Sequence, residues 1–150
     1  MNRLNFLKQE NNLTTFRFVL FSIITLGIYS VVWFYKRNKL IQNALGVKIV
    51  SDIYVIILII LNVVLFCADV ISILYENNLF EITSNILFFV SVVMFSIWAN
   101  CARSVLTYYC WGEYNIKPKT KSVYAVILGV FYINYLINAL GKINKPDISK

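Results

Sequence analysis

Tyr75-Glu76-Asn77-Asn78-Leu79-Phe80-Glu81 joins two apolar runs, Ile53 to Leu74 and Ile82 to Ala102, and carries no lysine or arginine. A connection this short makes its flanking runs antiparallel neighbours. Each run is close to the roughly 20 residues a helix needs to cross about 30 Å of hydrocarbon. The stretch therefore predicts a transmembrane helical hairpin. Two further apolar runs lie outside it, Phe16 to Tyr35 and Val123 to Leu140, and none of the four alternates as a half-buried strand would. The expected fold class is an all-α integral membrane protein. Its central antiparallel hairpin, 53–74 and 82–102, sits between outer segments 16–35 and 123–140, with a polar N-terminal arm over 1–15 and a basic tail over 141–150.

Composition points the same way. Hydrophobic residues make up 59% of the 150 and charged residues only 14%, against about 25% charged in an ordinary soluble domain. One domain of this length cannot hide that much apolar surface from water, so lipid must solvate the surplus. Histidine is absent and the seven carboxylates are scattered, which leaves little material for a metal centre or an acid–base pair. The chain has no G-x-S-x-G, no H-E-x-x-H and no glycine-rich phosphate loop, so neither an enzyme nor a cofactor is expected. Cys67, Cys101 and Cys110 are an odd set without C-x-x-C spacing, and no disulfide framework follows. The first apolar run lacks a cleavage signature, so the membrane segments are expected to stay in the mature protein.

The fourteen basic residues decide how the outer segments sit. Arg3, Lys8 and Arg17 precede or open the first segment, and Lys36, Arg37, Lys39 and Lys48 follow it. Arg103, Lys117, Lys119 and Lys121 follow the third, and Lys142, Lys145 and Lys150 close the chain. Four spanning segments would divide them six to eight across the membrane, with no side preferred. If the outer segments enter and leave on one side, all fourteen share that side, as cytoplasmic flanks do. The charges favour two re-entrant or interfacial hairpins flanking one spanning pair, with both termini cytoplasmic; additional spanning helices are the alternative. Each outer segment carries a mid-point glycine, Gly27 and Gly129. Half a segment, about nine residues, reaches roughly 14 Å, one leaflet. The two also align: Leu26-Gly27-Ile28-Tyr29-Ser30-Val31-Val32-Trp33-Phe34 matches Leu128-Gly129-Val130-Phe131-Tyr132-Ile133-Asn134-Tyr135-Leu136 in type at most positions, at an offset of 102.

Thr25-Leu26-Gly27-Ile28-Tyr29, followed by Trp33 and then Lys36 and Arg37, resembles the hallmark of small bacterial membrane proteins grouped under a domain of unknown function. The second glycine-aromatic segment, ending in Ile143-Asn144, is similar to the closing part of that pattern. The resemblance covers about 45 residues and implies a bacterial inner-membrane protein. It implies no activity. The Ile- and Val-rich central hairpin offers no matching motif.

Polar side chains inside apolar segments are costly unless paired, which makes them the best pointers to a site. Asp69 lies near the outer end of the second segment, as a proton or cation site or as a partner of Ser84 or Ser91. Asn62 and Asn100 lie on the two hairpin helices. Asn134 and Asn138, one helical turn apart, can bond across to another helix. Arg103 reads as an inner-interface anchor, with Trp98, Tyr108, Tyr109, Trp111 and Tyr114 as an aromatic belt and Gly112 placed to end the helix. Lys36, Arg37 and Lys39, together with Lys117, Lys119 and Lys121, are placed to contact anionic lipid headgroups. Phe6, Leu7 and Leu13 could hold the arm on the membrane. The net charge of +7 needs no nucleic acid to explain it. The function expected is non-enzymatic: binding a membrane protein partner or a second copy of itself, or organising lipid. A four-span small transporter, or an immunity protein against a pore-forming toxin, is the alternative.

Overall fold

The computed structural model describes residues 3–75 and 78–142, and every regular element among them is an α-helix. In chain order these are α1 (Arg3–Asn11), α2 (Thr15–Ile24), α3 (Ile28–Leu45), α4 (Asp52–Tyr75), α5 (Asn78–Tyr114) and α6 (Ser122–Leu140). Three of them, α4, α5 and α6, are long and apolar enough to cross a membrane. The chain is an all-α membrane protein. Glu76 and Asn77 of the connecting stretch, Ile143 and Asn144 of the hallmark, and Lys145 and Lys150 of the tail lie outside the described residues.

The central pair packs antiparallel. Ser91 Oγ donates to Asn62 Oδ1 at 3.1 Å, and the Tyr54 hydroxyl donates to the Met94 carbonyl at 2.6 Å. At 1.5 Å per residue α4 is roughly 36 Å long, a bilayer's thickness, but α5 is roughly 55 Å. Gly112 does not end α5. The helix runs through it to Tyr114 and closes at Asn115, in the left-handed region at φ 52, whose N–H reaches the Trp111 carbonyl at 3.0 Å. The reason is a stripe of small and apolar residues that keeps one face buried beyond the expected span: Trp98, Ala102, Leu106, Cys110 and Tyr114, four apart throughout.

The first outer segment is two helices, α2 and α3, folded back on each other at Thr25-Leu26-Gly27. Phe18 of α2 stacks on Trp33 of α3 with ring centroids 4.6 Å apart, and Ser30 Oγ donates to Ser22 Oγ at 2.8 Å. The fourth segment is broken too. Gly129, at φ 49 and ψ −124, divides α6 into arms 122–128 and 130–140. Tyr124 and Tyr132, one on each arm, sit 5.9 Å apart, although eight residues of unbroken helix would rise roughly 12 Å between them. The ascending arm runs beside α5, with Thr120 against Arg103 and Val126 against Ser96. The descending arm returns to Phe18 and Asn11.

The N-terminal arm differs from its reading as a polar or interfacial appendage. Residues 3–11 form α1, and Leu4 and Leu7 are buried in the core. Helix α1 lies against α3 and α6, where it buries two leucines one turn apart and bonds both helices through Asn11. The core therefore sits at one end of the molecule, where α1, α3, α5 and α6 meet. Phe34 and Trp98 pack edge-on at 4.9 Å there, and Trp33 and Trp98 at 6.4 Å. The other half of the α4 and α5 pair presents Val63, Val70, Ile73, Ile82, Ile86 and Phe89 outward.

Candidate functional site

The hallmark is a turn with specific chemistry. The Thr25 hydroxyl donates to the Phe21 carbonyl at 2.7 Å and accepts from the Tyr29 N–H at 3.0 Å, tying the last turn of α2 to the first of α3. Leu26 and Gly27 take positive φ, 49 and 87, and the Gly27 N–H closes back on the Ser22 carbonyl at 2.7 Å. Tyr29 then lies against Phe21 and Phe18, at 5.3 and 5.8 Å. Each residue of the Thr-Leu-Gly-x-Tyr pattern thus shapes or covers one tight helical reversal. Leu26 itself is exposed at the tip.

At the second tip Gly129 alone makes the reversal, and its hold comes from α5. Ser96 Oγ donates to the Val126 carbonyl at 2.8 Å while also reaching the Val92 carbonyl of its own helix at 2.9 Å. The two tips come together beside the middle of α4 and α5, where they floor a cavity of about 380 Å³. Leu65, Phe66, Phe88 and Phe95 give it apolar walls; Asn62, Asp69, Ser91 and Ser96 are its polar side chains on the central pair. Volume and lining are those of a small-molecule site between helices.

The structure brings together some of the residues singled out from the sequence and keeps others apart. Asn62 pairs with Ser91 and bonds the Leu58 carbonyl of its own helix at 2.8 Å, so Ser91 does not serve Asp69. Ser84 donates to the Glu81 carbonyl instead. Asp69 is exposed and lines the cavity, the one ionisable residue there among the described residues. Among the described residues the Asn100 amide bonds along its own helix, to the Ser96 carbonyl at 3.1 Å. It lies nine residues below the Asn62 partner, roughly 13 Å. Arg103 stands twelve residues below Ser91 while Asp69 stands seven above Asn62, so roughly 28 Å separates the two charges.

Asn134 and Asn138 do bond across helices. The Asn11 amide donates to Asn134 Oδ1 at 2.7 Å and to Asn138 Oδ1 at 3.2 Å. In return Asn134 donates to Thr15 Oγ1, and both asparagines reach the Leu13 carbonyl. Trp33 Nε1 donates to Asn11 Oδ1 at 3.3 Å, and Trp98 Nε1 to Asn38 Oδ1 at 2.9 Å. Burying an indole requires such an acceptor. Asn11 and Asn38 escaped the sequence reading, since neither lies within an apolar run; the only available signal was the need of two buried tryptophans for partners.

The basic residues divide into two kinds. Lys36, Lys39, Lys117, Lys119 and Lys121 are exposed; Lys39 lies over the Tyr35 ring at 5.5 Å and Lys121 over Tyr124 at 6.0 Å. Arg37 and Arg103 turn inward. Arg37 donates to the Asn11 carbonyl at 3.2 Å, and Arg103 to Thr120 Oγ1 at 3.3 Å, bracing the connection into α6. Each keeps a buried Nε without a partner among the described residues. The aromatic belt is likewise smaller than its sequence reading: Tyr108 and Trp111 are exposed, whereas Trp98 and Tyr114 are core. They fall on the stripe of α5 that packs against its neighbours.

A family model described as a domain of unknown function (DUF4234) matches residues 14–138. The chain belongs to this family. The DUF4234 match starts at Thr14, whose Oγ1 caps the first turn of α2 through the Arg17 N–H. It ends at Asn138, in the amide cluster. Both glycine tips, the central pair and the cavity lie inside it, and all of α1 lies outside. No curated protein and no solved structure matches the chain.

Proposed function

We propose that this chain is a non-enzymatic protein of the bacterial inner membrane that organises lipid by holding two helical wedges in the cytoplasmic leaflet. The observation that carries this reading is a common depth. Lys36, Arg37 and Lys39 stand nine to twelve residues from Gly27 along α3. Lys119 and Lys121 stand ten and eight before Gly129, and Arg103 stands twelve below Ser91 on α5. At 1.5 Å per residue each is roughly 12 to 18 Å, about one leaflet. Upward from the tips, Asn62 to Tyr75 adds roughly 20 Å with no basic residue. A basic rim one leaflet below the tips and an end without lysine or arginine one leaflet above them fit a bilayer entered from the cytoplasmic side.

In this arrangement α2, α3 and the arms of α6 take up area in one leaflet only. The exposed lysines at their base attract anionic headgroups, each adding about 1 kcal/mol near the surface. Re-entrant backbone survives in hydrocarbon only where its polar groups are satisfied, and the Thr25 bonds and the Ser96 bond to the Val126 carbonyl provide for this.

The test is cysteine labelling in a background lacking Cys67, Cys101 and Cys110, with single cysteines at Asn5, Gln42, Asn78 and Asn115 and a membrane-impermeant thiol reagent on intact cells. Labelling at Asn78 alone is expected. Labelling at Asn5, or at Gln42 and Asn115, would mean that the outer segments cross, and the transporter or immunity reading would take over. Reconstitution into vesicles containing anionic lipid should then give a dose-dependent fall in vesicle diameter, weakened when Lys36, Lys39, Lys117, Lys119 and Lys121 are changed to glutamine.

A further inference from the structure

The cavity above the glycine tips has one feature the wedge reading does not use. Its polar groups are spent within the protein, except for one carboxylate. Asn62 and Ser91 bond each other, Ser96 is engaged with two carbonyls, and Ser30 donates to Ser22. Asp69 receives none of these hydroxyls, no lysine or arginine among the described residues lines the cavity, and Arg103 is roughly 28 Å away along the central pair. A carboxylate among Leu65, Phe66 and Phe88 is costly unless a cation pairs with it. The cavity is otherwise apolar, and of a size that holds a small ligand.

We propose that this cavity binds a cationic amphiphile, its ammonium paired with the Asp69 carboxylate and its apolar chain running down between α4 and α5 to the two glycine tips. Charge complementarity selects the head, because a lone anion attracts a cation and repels a second anion. The geometry selects the orientation. Asp69 stands seven residues, roughly 10 Å, closer than Asn62 to the end of the hairpin that carries no lysine or arginine, and the tips close the opposite end of the cavity. The head therefore points toward that end, as it does for a lipid in the leaflet the wedges leave empty. This assignment of the leaflet rests on the wedge reading; the pairing with Asp69 does not.

The experiment uses the full chain in detergent micelles and two matched probes, the trimethylammonium and the propionate derivatives of diphenylhexatriene, read by fluorescence anisotropy against empty micelles. The cationic probe should bind saturably and about tenfold more tightly than the anionic one. Asp69→Asn should remove that preference, and Val92→Trp, which fills the cavity from α5, should weaken both probes. Equal binding of the two probes to the unmodified chain overturns the proposal, and so does a preference that survives Asp69→Asn. Equal affinities would mean an unselective apolar cleft. The comparison of probes on the unmodified chain stands even if the Asp69 variant does not fold. Binding in detergent reads the cavity alone, so its failure leaves the labelling result untouched, and failure of the labelling leaves the binding untouched.

Discussion

At the first glycine tip the turn holds itself together, since Thr25 bonds both helices, Ser22 meets Ser30, and Tyr29 covers the reversal. At the second tip the hold comes from elsewhere: Ser96 of α5 grips the ascending arm, and the Asn11, Asn134 and Asn138 cluster pins the descending one. Two segments that align in sequence thus reach the same shape by local chemistry in one case and by tertiary contacts in the other. The backbone reflects the difference. Gly27 takes a left-handed conformation, at φ 87 and ψ −14, that asparagine also adopts, whereas Gly129 at φ 49 and ψ −124 occupies a region effectively closed to residues with a Cβ. Neither glycine has a neighbour within 4 Å of where a Cβ would sit, so the constraint at both is conformational and not steric.

The largest effect should come from the amide cluster that pins the second hairpin, to the base of the first as well as to α1. Asn134→Leu strips the buried Asn11 amide of its shortest bond and deprives Thr15 and the Leu13 carbonyl of a donor. A loss of about 3 kcal/mol is expected, read by denaturant unfolding in detergent through tryptophan fluorescence. A loss below about 1 kcal/mol would mean that the cluster does not support the second hairpin, and the contrast between the tips would collapse. Next comes Gly129→Asn, which forces a side chain onto the forbidden backbone at a cost of about 2 kcal/mol. The same unfolding measurement checks it.

Much of this was legible in the sequence. The central pair, both glycines and the cross-helix role of Asn134 and Asn138 follow from run length, charge placement and the cost of polar groups in lipid. Tertiary packing hid the rest. Nothing local marks Leu4 and Leu7 as core residues, because α1 buries them only against α3 and α6. The buried stripe on α5 continues past Arg103 at a four-residue spacing, so Gly112 and Tyr114 read as a helix end and a belt although the helix passes through Gly112 and buries Tyr114 as its last residue. Arg37 and Arg103 read as rim charges for the same reason: whether an arginine at an interface points to lipid or to a carbonyl is set by the neighbouring helix, which one segment's sequence does not contain. The cavity required both tips at once.

Thr25→Val sharpens the comparison from the other side. It keeps the shape of the side chain and removes both hydroxyl bonds across the first tip, for an expected loss of about 1 kcal/mol. Replacing Ser96 with alanine in the same background should add its own cost almost fully, because the two turns share no partner. A cost well short of additive, measured by the same unfolding curves, would show the tips to be coupled through the cavity floor they form together.

The smallest effect should belong to Gly27→Asn. The left-handed backbone at Gly27 suits asparagine and the site has open space, so a change of only a few tenths of a kcal/mol is expected. Gly27→Val, which is β-branched and cannot take that conformation without strain, should cost about 1 to 2 kcal/mol. The informative quantity is the difference between asparagine at 27 and asparagine at 129. If the two cost the same, the reversal at Gly129 relaxes to a left-handed turn like the first, and the second hairpin owes its shape to its glycine less than to the grip of Ser96. If asparagine is tolerated at 27 alone, the two halves of the repeat have one glycine position in common and two different turns built on it.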